Sequence, residues 1–193
     1  MSGGRSAAPG RIRIIGGSLR NSRLNVPELP GLRPTAERVR ETLFNWLAPV
    51  IDGARCLDLC AGTGALGIEA LSRGAAAVQF VERDAWAAQV LRDNLTRLKT
   101  TGGQVVALDA GRFLQGVPQQ QNLVFLDPPF ALELWSALAQ QLEQGGWLAA
   151  HAWIYVESPR AGVLMLPANW QLHREGHAGD VRFALYRRAL PLS

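Results

Sequence analysis

Residues 54–83, ARCLDLCAGTGALGIEALSRGAAAVQFVER, constrain the fold more than any other stretch of the chain. An apolar run through Cys56, Leu57 and Leu59 stops at Gly62-Thr63-Gly64, and apolar positions at helical spacing, Leu66, Ala70 and Leu71, follow until Gly74. Val78 to Val81 then reads as a second buried strand, with Glu82 at its end. Strand, glycine loop, helix and strand form the unit of an open α/β sheet, which binds ligands at the carboxyl ends of its strands. The loop needs glycine because a Cβ would block both the tight turn and a ligand's approach to the backbone. A helix beginning near Gly64 aims unpaired N–H groups and a partial positive charge into that turn. Gly62 to Gly67 also satisfies G-x-G-x-x-G, so the glycines alone admit a dinucleotide.

Asp58, four residues before Gly62, tips the balance. A carboxylate at the strand's end repels a pyrophosphate but suits an ammonium group and, more distantly, a sulfonium. The D-x-x-x-G-x-G run resembles motif I of the class I S-adenosylmethionine-dependent methyltransferases. Glu82 at the end of the next strand can accept hydrogen bonds from two ribose hydroxyls.

The 193 residues suffice for one well-buried domain, and 48% hydrophobic content excludes general disorder. No apolar run is long enough to span a bilayer and the N-terminus lacks the apolar core of a secretion signal, which predicts a cytoplasmic protein with no membrane partner. Cys56 and Cys60 lie too close along one strand-to-loop segment for an easy disulfide, and His151, His173 and His177 give no zinc spacing. Both cysteines read as core or pocket-wall residues, and no metal is expected. Charge is unevenly placed: residues 1–40 hold eight arginines against Glu28 and Glu37, while the other 153 residues carry twelve cations against fourteen anions. Lys99 is the one lysine, and arginine suits planar contact with phosphates and bases. The basic end is therefore a candidate nucleic-acid contact, through Arg11, Arg13, Arg20 and Arg23 in particular.

Along the chain, residues 1–10 read as a disordered tail. Residues 11–32 read as a hairpin extension, with Arg11 to Ile15 alternating basic and apolar and Leu24 to Val26 pairing back. Thr35 is placed as the N-cap of a helix with Val39, Leu43, Trp46, Leu47 and Val50 on one stripe and Arg38 on the opposite face. After Glu82, Asp84 caps a helix carrying Trp86, Val90, Leu91 and Leu95, with Asn94 and Arg97 outward. Gln104 to Leu108 is a third strand ending at Asp109, followed by a short helix from Ala110. Gln121 to Leu126 is a fourth strand, Ala131 to Glu143 a helix and Ala152 to Val156 a fifth strand. Trp170 to Arg174 and Val181 to Arg187 form a closing antiparallel hairpin.

The fourth strand runs into Asp127-Pro128-Pro129-Phe130, on the same sheet edge as Asp58, Glu82 and Asp109. Successive prolines remove N–H donors and stiffen the loop, so the Asp127 side chain and the Pro128 carbonyl can serve as two fixed acceptors. An exocyclic amine offers two coplanar N–H donors to such a pair, and Phe130 can stack on a base unstacked from its neighbours. Acceptors that stabilise a pyramidal, partly positive nitrogen favour the transition state.

Together these stretches resemble the bacterial 16S ribosomal RNA (guanine-N2)-methyltransferases of the RsmD type. The likeness runs from Arg11 to Tyr186 through RIIGG (13–17), RPTAERVRETLFNWL (33–47), DLCAGTGALGIEALSRGA (58–75), VERD (81–84), LDPPF (126–130) and YVE (155–157). It implies a doubly wound, mostly parallel, seven-stranded Rossmann-like sheet with helices on both faces and a C-terminal antiparallel hairpin, occupying residues 33–193. It implies S-adenosylmethionine as cofactor, with Asp58, Gly62 and Gly64 holding its methionine part and Cys60, Ala61 and Thr63 also in the cofactor site. Glu82 would face the ribose and Asp109 the adenine, with Arg83 and Ala110 also in the cofactor site. Asp127 with Pro128 would hold the target amine, Pro129 and Phe130 would complete the catalytic loop, and Arg33, Thr35 and Arg38 would contact RNA. The implied substrate is guanine 966 of 16S rRNA in the small ribosomal subunit or an assembly intermediate, met by a monomer. Cys60 stands where the family often has an aromatic residue. Asp-Pro-Pro-Phe alone is shared with enzymes that methylate other amines, so adenine N6 is an alternative, as are an NAD-dependent oxidoreductase and a non-catalytic RNA-binding assembly factor.

Overall fold

The computed structural model describes residues 10–32 and 34–190, so the predicted tail, apart from Gly10, and Arg33 lie outside the described residues. Two short strands, β1 (Arg11–Arg13) and β2 (Arg23–Asn25), pair antiparallel, and helix α1 (Glu37–Leu47) follows. The sheet then opens with β3 (Arg55–Asp58), α2 (Ala65–Ser72), β4 (Ala77–Glu82), α3 (Ala85–Arg97) and β5 (Gly103–Ala107). It continues through α4 (Ala110–Phe113), β6 (Gln121–Leu126), α5 (Trp135–Gln144), β7 (Leu148–Pro159), β8 (Trp170–Ala178) and β9 (Val181–Arg188).

Seven strands lie in the order β5-β4-β3-β6-β7-β9-β8, the first five parallel and the last two antiparallel. This is the Rossmann-like sheet with a closing hairpin that the sequence predicts. The chain winds outward from β3 to β5 and resumes at β6 on the other side of β3, so the switch point lies between the ends of β3 and β6. A crevice opens there in sheets of this kind.

Period-two alternation divides the strands between two cores. Cys56, Phe80, Phe125, Tyr155 and Leu185 face α1, α2 and α3, whereas Leu57, Val81, Val124, Ile154 and Ala184 face α4 and α5. Ile12, Ile14 and Leu24 of the N-terminal hairpin are buried in the first of these cores. Gly67 of α2 lies so close to β4 that a Cβ there would meet Phe80 at 2.2 Å, which explains the third glycine of the loop motif by packing. Among the described residues no helix is long and apolar enough to cross a membrane.

Several local expectations are corrected. Thr35 does not cap α1: Ala36 occupies that position without a side-chain cap, because the Thr35 hydroxyl turns inward to carboxylates. Trp86 is exposed on the first turn of α3, while Asn94 is buried. Asn94 pairs in both directions with the backbone of Asn25, closing the free edge of β2 (3.1 and 2.9 Å). Residues 131–143 are not one helix: a 3-10 turn at Phe130–Leu132 ends at Glu133, whose φ of 47° breaks the helical path before α5. β7 begins and ends beyond its predicted limits, and β8 runs through Gly176 to a turn at Gly179.

Candidate active site

Strand register sets the site. Leu57 pairs with Val124 and Asp58 with Phe125, so Asp127 projects two residues past the level of Asp58. Leu126 pairs with Val156, which brings Asp127 and Glu157 side by side at the ends of neighbouring parallel strands. Both follow the parity of Phe125 and Tyr155 and so lean toward the α1 side of the sheet, where Thr35 waits.

Asp58 is buried and accepts from Gly67 N at 3.1 Å. Burial pushes its carboxyl up to about 7, with the Glu82 charge adding and the Gly67 bond opposing. Glu82 braces the glycine loop, Oε2 accepting from Gly62 N at 2.7 Å and Oε1 from Asp84 N at 2.9 Å. Ala61 N donates to Val81 O at 2.9 Å, and the buried Thr63 hydroxyl accepts from Ala65 N at 3.3 Å. Gly64, with φ of 76°, starts α2, and a Cβ there would stand 2.2 Å from Leu91 Cδ1.

Cys60 reports how the strand ends converge. Its thiol is pushed up by burial and then by the charges of Asp127, Asp58, Glu82 and Asp109, so all four predicted carboxylates bear on one sulfur. Asp109 caps α4 by accepting from Arg112 N at 3.1 Å and remains exposed, with Ala110 buried behind it and Arg83 exposed beyond Glu82. Asp127 has its carboxyl raised well above the usual range by burial, then by Glu157 and Asp58, while a Thr35 hydroxyl bond opposes. Pro128 is buried and Pro129 exposed, and the Phe130 ring lies 5.5 Å from that of Trp135.

The basic end divides. Arg11, Arg20, Arg23 and Arg38 are exposed, whereas Arg13 is ion-paired with Glu37. Thr35, predicted to contact RNA, is buried: its Oγ1 lies 3.1 Å from Glu157 Oε2 and 3.5 Å from Asp127 Oδ2.

Sequence reasoning gave no role to Glu157, which also accepts at Oε2 from the Tyr155 hydroxyl at 2.9 Å. The signal was available: Tyr155 and Glu157 stand two apart on a strand and must share a face. It also missed the ion pair of Arg40 and Glu69, both fully buried. Arg40 reaches Arg13 O and Thr35 O, and Glu69 takes Ile15 N, Gly16 N and Arg73, tying the hairpin and the approach to Thr35 onto α2.

The residues present fit a small cationic nucleoside. They provide a buried carboxylate beside a glycine turn, a second carboxylate at the next strand end with lone pairs to spare, and a loop whose Gly64 excludes any side chain.

Known proteins match over nearly the whole chain. The family model described as Conserved hypothetical protein 95 covers residues 12–187. Ribosomal RNA small subunit methyltransferase D of Escherichia coli K12 is 53% identical over 180 residues, spanning 93% of this chain and 91% of that protein. The Haemophilus influenzae protein of the same name is 43% identical over 185 residues, spanning 93% and 95%. Among solved structures, yhhF of Escherichia coli superposes with a TM-score of 0.87 at 50% identity, covering 94% of this chain and 99% of that one. HI0767 of Haemophilus influenzae gives 0.81 at 40%, covering 94% and 100%. The chain belongs to the ribosomal RNA small subunit methyltransferase D family, whose methyl donor is S-adenosylmethionine.

Proposed function

We propose that this protein methylates the exocyclic N2 amine of a guanine in 16S ribosomal RNA, guanine 966, acting in the cytoplasm as a monomer on the small subunit or an assembly intermediate. The observation that carries the reading is the placement of Asp127 and Pro128 at the switch point beside Asp58, in a chain of this family.

S-adenosylmethionine supplies an electrophilic methyl group on a sulfonium. Asp58 and the turn from Cys60 to Gly64 hold its methionine part, Glu82 and Arg83 its ribose, and Asp109 and Ala110 its adenine. Asp127 and the Pro128 carbonyl take the two N–H donors of the amine, Pro129 stiffens the loop and Phe130 stacks on the extruded base. Fixing the amine in line with the methyl group contributes part of the roughly 7–11 kcal/mol available from proximity. The acceptors add more as the nitrogen becomes pyramidal and partly positive. Arg11, Arg20, Arg23, Arg33 and Arg38 meet RNA phosphates; the inward-turned Thr35 contributes by holding Asp127 instead.

The test is nucleoside analysis of RNA from unmodified small subunits treated with the protein and labelled donor. N2-methylguanosine at one position is the expected product. Labelled N6-methyladenosine would move the reading to an adenine amine, and donor-independent NADH binding without methylation would overturn it.

A further inference from the structure

The reading of Asp127 as the acceptor for the amine leaves one proton without a destination, and the structure offers one. Thr35 has a single hydroxyl hydrogen and two carboxylates in reach, Glu157 Oε2 at 3.1 Å and Asp127 Oδ2 at 3.5 Å. Turned to Asp127, that hydrogen stabilises the carboxylate and opposes its raised carboxyl; turned to Glu157, the shorter contact, it leaves Asp127 facing the oxygen's lone pairs. Glu157 Oε2 also accepts from the Tyr155 hydroxyl at 2.9 Å, and the Trp135 indole fixes the Glu157 backbone through its carbonyl at 2.8 Å. With its hydrogen committed to Glu157, Thr35 presents lone pairs to Asp127. Lone pairs repel a carboxylate and attract a carboxylic acid, so the contact becomes a good hydrogen bond only when Asp127 carries a proton. The Arg40 Nε group holds the Thr35 carbonyl at 3.3 Å, anchoring the backbone from which the hydroxyl reaches, and Arg40 is buried against Glu69.

We propose that Thr35 and Glu157 form a receiving pair for the amine's proton, passing it from Asp127 through the Thr35 hydroxyl to Glu157. The inference rests on the methyl-transfer reading above. As the nitrogen–methyl bond forms, the sulfur–methyl electron pair stays on sulfur and the nitrogen becomes cationic. Its N–H bond breaks and the proton goes to Asp127 Oδ2. Asp127 then donates to Thr35 Oγ1 while the Thr35 hydrogen moves to Glu157 Oε2, restoring an anionic Asp127. The proton leaves to water when the methylated base departs. Glu157 acts on Asp127 through Thr35 and is a positioning residue.

Among the described residues, the titratable and hydrogen-bonding groups facing Asp127 come from three sides: Glu157 and Tyr155 from β7, Asp58 and Cys60 from β3 and its loop, and the Thr35 hydroxyl ahead of α1. Glu157 is the neighbour whose charge raises Asp127 most. Removing that charge should make Asp127 easier to ionise and a weaker base, while also removing the receiver.

The experiment is single-turnover methylation of unmodified small subunits across pH by wild type, Glu157→Gln, Thr35→Val and Thr35→Ser, with donor affinity measured for each. Glu157→Gln and Thr35→Val should fall on the order of 10–100-fold in plateau rate, within the range of positioned acid–base groups. The acid limb of Glu157→Gln should move to lower pH, Thr35→Ser should recover most of the rate, and donor affinity should stay within about twofold. A second readout needs no turnover: the pH at which the carboxyl infrared band removed by Asp127→Asn is half lost should fall in Glu157→Gln. A Glu157→Gln variant with an unmoved limb and an unchanged band midpoint, whatever its rate, overturns the relay. If wild type itself transfers no methyl group to RNA, the proposed function falls and takes the relay with it.

Discussion

Asp58→Asn isolates what a buried carboxylate costs the fold and contributes to the ligand. In the folded chain its carboxyl is raised from 3.8 to about 7, chiefly by burial. A raised acid favours the protonated form, so its contribution to stability is intact below the unfolded value and is lost as pH climbs through about 7. Roughly three pH units correspond to about 4 kcal/mol, which relaxation and water entering the crevice reduce to about 2–4 kcal/mol. Asparagine keeps an acceptor for Gly67 N and carries no charge. Urea unfolding of the ligand-free variant at pH 8 should therefore show a gain of about 2–4 kcal/mol, and a melting temperature higher by roughly 5–10 °C. At pH 4 the two proteins should nearly coincide. Donor affinity should move the other way, weaker by about 10–100-fold, the worth of a charge-assisted contact. A variant that is less stable at pH 8 by the same margin as at pH 4 would refute the reasoning, since the carboxylate would then be a structural asset.

Three further outcomes follow from named contacts. Glu69→Ala strands Arg40 in the core, with two part-buried backbone N–H groups beside it, and should cost about 3–5 kcal/mol in urea unfolding, where an exposed carboxylate would cost under about 1 kcal/mol. Gly64→Ala forces a Cβ to 2.2 Å from Leu91 at a φ of 76° and should lower both melting temperature and donor affinity; retention of both would show that the turn can move. Replacing Arg11, Arg20 and Arg23 together by alanine should weaken RNA binding and reduce the slope of log affinity against log salt by about 2–3, readable by filter binding across salt.

Much of this molecule was legible in its sequence because the central strands β3 and β6 are buried on both faces and the strands are punctuated by glycine or carboxylates. Asp58, Glu82, Asp109 and Asp127 all fall where the alternation of strand and helix puts them, at one sheet edge. Three of the failures share a cause: a polar side chain whose partner is distant in sequence. Thr35 has the composition of an N-cap, yet its partners are 92 and 122 residues away, and those long contacts override the local one. Asn94 reads as outward until the edge of β2, 69 residues earlier, claims both its amide groups. Arg40 sits on a stripe of charged residues and is buried because Glu69 faces it from another helix. Trp86 errs in the opposite sense: helical periodicity assigns it to the core, but it is exposed on the first turn of α3.

The central claim is that donor binding and amine presentation are separate tasks of adjacent strand ends, the first at β3 and β4 and the second at β6. Asp127→Ala measures this directly, with donor affinity by calorimetry and single-turnover methylation of unmodified small subunits on the same preparation. The account predicts an affinity within about twofold of wild type and a rate lower by on the order of 10²–10³-fold or more, as for loss of one positioned transition-state partner. Equal losses in affinity and rate would place Asp127 in the donor site and contradict it.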